Sequence, residues 1–248
     1  MRERLVQVKA SQSDQNQILD VQKIDLQISA LRNTEKTLPE IAELTSLNSR
    51  LITVKDLQVA AQTQASDIQR ELTRAEGDVE QINNRLAKDE ARLASGSTSA
   101  KELEQLQHEL GSLGARKAEL EEIELEVMMR LDGAKSHLAE LQEEERSLAA
   151  KIDDLNIRKE NAITEISSQI ATLTNERSIT INTTDKALVD LYEKVRAQGG
   201  VGAAALTGGQ CGGCNLTINS VEIARIKSLD ADEIVRCEEC RCILVRGA

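Results

Sequence analysis

Residues 95–102 read Ser95-Gly96-Ser97-Thr98-Ser99-Ala100-Lys101-Glu102. A Gly/Ser run does not sustain a helix. Ser99 followed three residues later by Glu102 is a capping box, whose two side chains satisfy free N–H groups at the start of a new helix. One helix therefore stops, another starts, and the chain reverses. Upstream, apolar residues step by threes and fours through Leu44, Leu47, Leu51, Val54, Ala61, Ala65, Ile68, Leu72, Ala75, Val79, Ile82, Leu86 and Leu93, interrupted by Gln58 and Asp89. Downstream the same period runs from Leu103 through Leu120, Leu131, Leu141, Leu155 and Ile166 to Leu173, with Lys117, Glu124, Glu145, Lys159 and Gln169 as its polar members.

Two seams of one heptad period on arms of nearly equal length predict a long antiparallel coiled-coil hairpin. Facing residues must then keep a constant index sum, and Leu93/Leu103, Leu86/Leu110, Val79/Lys117, Ala65/Leu131, Leu51/Glu145 and Leu44/Ile152 all sum to 196. Before Pro39 the pattern Ile24, Ile28, Leu31, Leu38 is displaced by one residue, giving Leu31/Ile166 and Ile24/Leu173. Proline removes a helix hydrogen bond and crowds the preceding turn, so a kink or short break near residue 39 is expected to absorb the slip. Heptads alone also suit a parallel two-stranded coiled coil. The turn, the cap and the matched arms favour the hairpin.

Composition agrees with long helices. The chain of 248 residues has one Tyr, no Phe, no Trp and one Pro, so the aromatic area that usually fills a globular core is missing. A formal charge of −11 opposes nonspecific attraction to phosphate backbones and anionic membranes. No stretch approaches the ~20 apolar residues of a membrane span, and Met1 to Ala10 lacks the apolar core of a signal peptide. A cytoplasmic protein without membrane attachment is expected.

After Arg196 the composition changes. Gly199-Gly200 breaks the helix, Val201 to Leu206 reads as a strand, and Thr207-Gly208-Gly209 turns into Cys211-Gly212-Gly213-Cys214. A second pair, Cys237-Glu238-Glu239-Cys240, follows, and the intervening residues house a short helix capped by Asn219 or Ser220 and running through Lys227. Two CxxC pairs bring four thiolates to one ion, because a tight turn over two residues aims both sulfurs at the same point. One structural Zn2+ on Cys211, Cys214, Cys237 and Cys240 is predicted. A closed all-cysteine shell leaves no position for water, and a ribbon this small and poor in aromatics should unfold without its metal. Cys242 lies on the same strand face as Cys240 and is the alternative fourth ligand; the matching CxxC of the first pair favours Cys240. The domains are then a mainly α hairpin over 1–198, turning at 95–99, and a small β zinc ribbon over 199–248. His108 and His137 stand beside the seam as exposed helix residues. There is no Ser/His/Asp set, phosphate-binding Gly loop or paired-carboxylate pocket, so an enzyme is not expected.

The order of parts resembles a bacterial family of coiled-coil hairpins ending in a four-cysteine zinc ribbon, known as predicted nucleic-acid-binding zinc-ribbon proteins. The resemblance spans the chain. It is most specific in Lys101-Glu102-Leu103-Glu104-Gln105-Leu106-Gln107-His108-Glu109-Leu110, in Leu191-Tyr192-Glu193-Lys194-Val195-Arg196, and in Asp232-Glu233-Ile234-Val235-Arg236-Cys237 with Ile243-Leu244-Val245-Arg246. It implies zinc on the four cysteines and adaptors that bind a sigma factor, a secretion component or messenger RNA. The family usually has Gly then Arg after the last ligand, where this chain has Arg241 then Cys242. A left-handed backbone there would strain Arg241, whereas Asn215 in the matching place of the first knuckle tolerates it better.

A protein-binding adaptor is the favoured function, with nucleic-acid binding as the alternative and a plain spacer third. From Gly199 onward five basic residues (Arg225, Lys227, Arg236, Arg241, Arg246) face six acidic ones, and no aromatic is present to stack on a base. Nucleic-acid binding would require Arg236, Arg241 and Arg246 to gather on one face.

Overall fold

The structure, a computed structural model, describes residues 8–96 and 99–247. Ser97 and Thr98 of the turn, and residues 1–7 of the segment searched for a signal peptide, lie outside the described residues. Four helices form the α part: α1 (Gln12–Lys36), α2 (Pro39–Ala94), α3 (Ala100–Thr183) and α4 (Lys186–Gly199). The C-terminal part holds β1 (Ala203–Thr207), β2 (Gln210–Cys211), α5 (Ser220–Ser228), β3 (Val235–Arg236) and β4 (Ile243–Arg246). By their contacts the residues form two compact units, 40–157 and 1–39 with 158–248.

In the first unit α2 and α3 run antiparallel. Leu47, Leu51, Val54 and Ala61 share a core with Leu138, Leu141 and Leu148, and Ile68 and Leu72 share one with Val127, Leu131 and Ala134. All the expected seam positions of α2 are buried or half-buried; along α3 only Leu103, beside the turn, and Gln169 are exposed. Ion pairs across the hairpin straddle the expected register: Arg50 Nη2 lies 2.7 Å from Glu144, and Arg130 Nη1 3.0 Å from Glu71. Gln58, an interruption of the seam, donates to the Leu141 carbonyl at 3.0 Å. Asp89, the other interruption, is 3 % exposed and flanked by Arg85 and Arg92.

Helix ends form where the side chains demand them. The Ser99 N–H donates to Glu102 Oε2 at 2.8 Å and the Glu102 N–H returns to Ser99 Oγ at 3.4 Å, a reciprocal capping box. The Ser99 amide first, and then the Ser99 hydroxyl, which donates to the same Oε2 at 2.8 Å, pull the Glu102 carboxyl below its ordinary pKa. Near Pro39 the helix breaks outright: α1 stops at Lys36, the Thr37 N–H bonds back to Asn33 and Thr34, and Pro39 starts α2, where its missing N–H costs nothing. A second break, at Thr184–Asp185, divides what the sequence reads as one continuous helix. Asp185 caps α4 by accepting from the Leu188 N–H at 3.0 Å, and Thr184 turns inward to donate to Gln17 Oε1 at 3.1 Å.

In the second unit the strands make one sheet of order β2-β1-β4-β3, with β1 and β4 parallel and the outer pairs antiparallel. Alternation gives the sheet two faces. Ala203, Ile243 and Val245 pack on Ile18 and Val21 of α1 and on Leu188, Val189 and Tyr192 of α4. Ala204, Leu244 and Val235 pack on Ile226 of α5 and on the cysteines. The strand starts at Ala203 rather than Val201, because the Gly202 and Ala203 N–H groups donate to Gln22 Oε1 of α1, at 2.6 and 3.2 Å. Beyond β3, the Ile234 N–H donates to the Val8 carbonyl and the Ala10 N–H to the Asp232 carbonyl, adding the N-terminal segment to that edge.

Candidate metal centre

The first knuckle leaves β2 at Cys211. The Asn215 N–H closes it onto the Cys211 carbonyl at 2.7 Å, and the Gly213 N–H points at Cys211 Sγ from 3.4 Å. Close approach excludes a side chain at Gly212, where a Cβ would lie 2.9 Å from the Ala205 carbonyl oxygen, and leaves Gly213 tight, with a Cβ there 3.1 Å from Cys242 Sγ. The second knuckle has the same build, with the Arg241 N–H on the Cys237 carbonyl at 3.1 Å and the Cys237 N–H on the Cys242 carbonyl at 2.9 Å. Asn215 and Arg241, the residues after each pair, both take left-handed backbone, at φ 60° and 66°. Arg241 therefore carries the strain that its place in the sequence raised.

These turns bring Cys211, Cys214, Cys237 and Cys240 together, with all four sulfurs within 4.8 Å of one another. Cys211 and Cys237 are buried; Cys214 and Cys240 are half-buried. The Cys211–Cys240 and Cys214–Cys237 sulfur separations are 3.7 and 3.9 Å. A tetrahedron of ~2.3 Å zinc–sulfur bonds has edges of about 3.8 Å, so the donor set fits one four-coordinate zinc. Cys242 lies beside this group, its Sγ 3.5 Å from Cys211 and 3.3 Å from Cys240, fully buried. It is a fifth thiol next to the ligand set. Without metal, burial pushes the Cys240 thiol up to about 11 and raises that of Cys242 further. Zinc reverses that balance by binding only thiolates.

Hairpin followed by four-thiolate ribbon is the arrangement that places the chain. Residues 21–200 match the CT398-like coiled coil hairpin domain, and residues 210–244 match the C4-type zinc ribbon domain. The chain belongs to the CT398-like family. An uncharacterized Mycobacterium tuberculosis protein is 34% identical over 242 residues, covering 96% of this chain and 98% of the relative. A solved structure from Mycobacterium smegmatis aligns with a TM-score of 0.81 at 30% identity, over 96% of this chain and all of that one. CT398 of Chlamydia trachomatis shares the fold, with a TM-score of 0.63 at 19% identity over 94% and 98% of the two chains.

Other residues of this CT398-like chain that the sequence singled out have structural work. The Tyr192 hydroxyl donates to Asp25 Oδ2 at 2.7 Å. Burial first, and then that carboxylate, hold the hydroxyl well above its ordinary pKa, so it remains a donor. Asp25, nearly inaccessible, also receives Arg177 Nε at 2.8 Å and Arg196 Nη2 at 3.2 Å. Asn219 caps α5, accepting from the Glu222 N–H at 2.7 Å, while the Glu222 carboxylate turns to Arg225. The Arg246 guanidinium donates to the carbonyls of Ile226, Leu229, Asp230 and Glu233 at 2.6–3.1 Å, holding the end of α5 against β4. His108 and His137 are exposed on α3. Among the described residues no helix is long and apolar enough to cross a membrane.

Proposed function

We propose that this zinc-binding protein is a cytoplasmic, non-enzymatic adaptor that holds a protein partner through its ribbon and coiled coil. One observation carries the choice: three of the ribbon's four arginines are engaged internally, while apolar side chains of the ribbon, one of them two residues past a zinc ligand, are exposed. Arg246 serves four carbonyls, Arg225 pairs with Glu222, and Arg236 Nε donates to the Arg241 carbonyl at 3.0 Å. Leu216 and Val221 are 52% and 80% exposed. Leu216 rims a cavity of about 180 Å³ lined also by Ile218, Ile226, Leu244 and Cys237. The rest of its lining is polar and mainly acidic, with Asn219, Glu222, Glu238 and Glu239 beside Arg236, and a cavity of that mixed character suits a protein side chain better than a phosphate backbone. By family resemblance a sigma factor or a secretion component is the class of partner to look for first.

Affinity capture with three forms of the full chain tests this: wild type, Leu216→Asp/Val221→Asp, and Cys211→Ser/Cys214→Ser, with captured proteins and nucleic acids both identified. A partner lost from the surface variant while its zinc is retained supports ribbon docking. Full retention by both variants shows that the ribbon is not the recognition element. RNA or DNA binding through Arg236, Arg241 and Arg246 is the second reading, although Arg246 is committed to four carbonyls and leaves only the other two to meet a phosphate. Filter binding at low ionic strength decides it, since no retention of single- or double-stranded RNA or DNA removes it.

A further inference from the structure

Five sulfurs, not four, converge at the metal centre. Cys242 Sγ is 3.3 Å from Cys240 Sγ and 3.5 Å from Cys211 Sγ. The glycine at 213 leaves room for it. Arg241 stands between Cys240 and Cys242 in left-handed backbone, and the turn it makes puts both sulfurs on one side of the chain. Exposure distinguishes the two ligands that Cys242 touches: Cys211 is fully buried, whereas Cys240 is half-buried beside the exposed Glu238 and Glu239. Of those two, Cys240 is the one an oxidant arriving from solvent reaches, and Cys242 lies directly behind it.

We propose that Cys240 and Cys242 form an oxidation site in which Cys242 captures the oxidised Cys240 sulfur as a disulfide and thereby releases the zinc. The oxidant is a hydroperoxide. The Cys240 thiolate attacks its terminal oxygen, so an S–O bond forms as the O–O bond breaks; the sulfur loses two electrons and the other oxygen leaves as alcohol or water after taking a proton. Cys242 Sγ then attacks the sulfenic sulfur. The S–S bond forms, the S–O bond breaks, and the Cys242 thiol proton departs with the hydroxyl as water. Closing from 3.3 Å to a bond of ~2.05 Å needs a shift of little more than an ångström. The ion is left with Cys211, Cys214 and Cys237, an open shell that zinc leaves readily for a chelator. A dithiol reductant returns the disulfide to two thiols, becoming a disulfide itself, and the restored four-cysteine set can take up zinc again.

The test uses reduced, zinc-loaded full-length protein treated with hydrogen peroxide, with zinc release followed by a chromogenic chelator and the cysteines mapped by peptide mass after alkylation. Wild type should release its zinc with formation of a Cys240–Cys242 disulfide, and recover it on reduction and zinc addition. Cys242→Ala, which leaves all four ligands, should bind zinc at first but acquire sulfinic or sulfonic acid at Cys240 and fail to recover. Zinc release from wild type with Cys242 still alkylatable, or a disulfide joining Cys240 to Cys237 or Cys214, overturns the proposal. Equal recovery by wild type and variant also overturns it. The wild-type map decides the matter even if the variant folds poorly.

Discussion

Arg241 and Asp25 show how single residues carry more than their local sequence suggests. Arg241 holds a left-handed backbone at φ 66° to close the second knuckle, a conformation that costs an L-residue roughly 1 kcal/mol. Arg241→Gly should therefore raise the stability of the zinc-loaded protein by up to about 1 kcal/mol in denaturant titration, less the added freedom of glycine in the unfolded chain. Asp25 works in the opposite direction. Its buried carboxylate receives Tyr192, Arg177 and Arg196, so Asp25→Ala should cost about 3–4 kcal/mol, because the Tyr192 hydroxyl loses its charged acceptor and the two arginines keep only Glu193. Tyr192→Phe should cost less, about 1.5–3 kcal/mol, because only one charge-assisted hydrogen bond is lost. Chemical denaturation of the three variants checks the order.

At the scale of elements, the caps and knuckles decide where helices and strands begin. The Ser99–Glu102 box starts α3, and Ser99→Ala should lower stability by about 1 kcal/mol, read as a shift in the urea midpoint without a change in slope. The metal knuckles respond to pH in two opposite ways. Without zinc, the raised Cys240 pKa contributes stability that is present below the ordinary thiol pKa and lost as pH rises towards about 11. With zinc the thiolate is required, so each proton displaced weakens apparent affinity about tenfold per pH unit as pH falls. Competition with a chelator across pH 6–8 should show zinc affinity climbing steeply with pH. A flat profile would contradict thiolate ligation. The ribbon also has support that its own composition does not reveal: one sheet face rests on α1 and α4 through Ile243, Val245 and Tyr192. Chelation should accordingly loosen the knuckles and α5 first, and hydrogen exchange should find β1 and β4 still protected.

For the chain as a whole, whatever follows from period and spacing was legible and whatever needs distant partners was not. Seam burial, the capping box, the break before Pro39 and the cysteine pairing are each written in fewer than ten consecutive residues or in a repeat, and each is present. The break at Thr184–Asp185 has only a weak local mark, Thr183-Thr184-Asp185, a run of poor helix formers ending in a good N-cap inside an otherwise helical stretch. The Asp25–Tyr192–Arg177 network and the pairing of residues 8–10 with 232–234 join segments far apart in sequence, and no local signal marks them. Charge adds a second whole-chain property: acidic side chains outnumber basic ones by 11 within residues 40–157 and balance them elsewhere, so the entire net charge of −11 belongs to one unit. Partner capture mediated by that unit should weaken with rising salt if the partner is basic.

Everything at the C-terminal end depends on four sulfurs holding one ion. Metal analysis of the purified, reduced protein together with zinc-edge X-ray absorption addresses that directly. One zinc per chain with four sulfur neighbours at ~2.3 Å is the expected result. Absence of stoichiometric zinc, or a shell containing nitrogen or oxygen in place of one of the sulfurs, would contradict the assignment of Cys211, Cys214, Cys237 and Cys240.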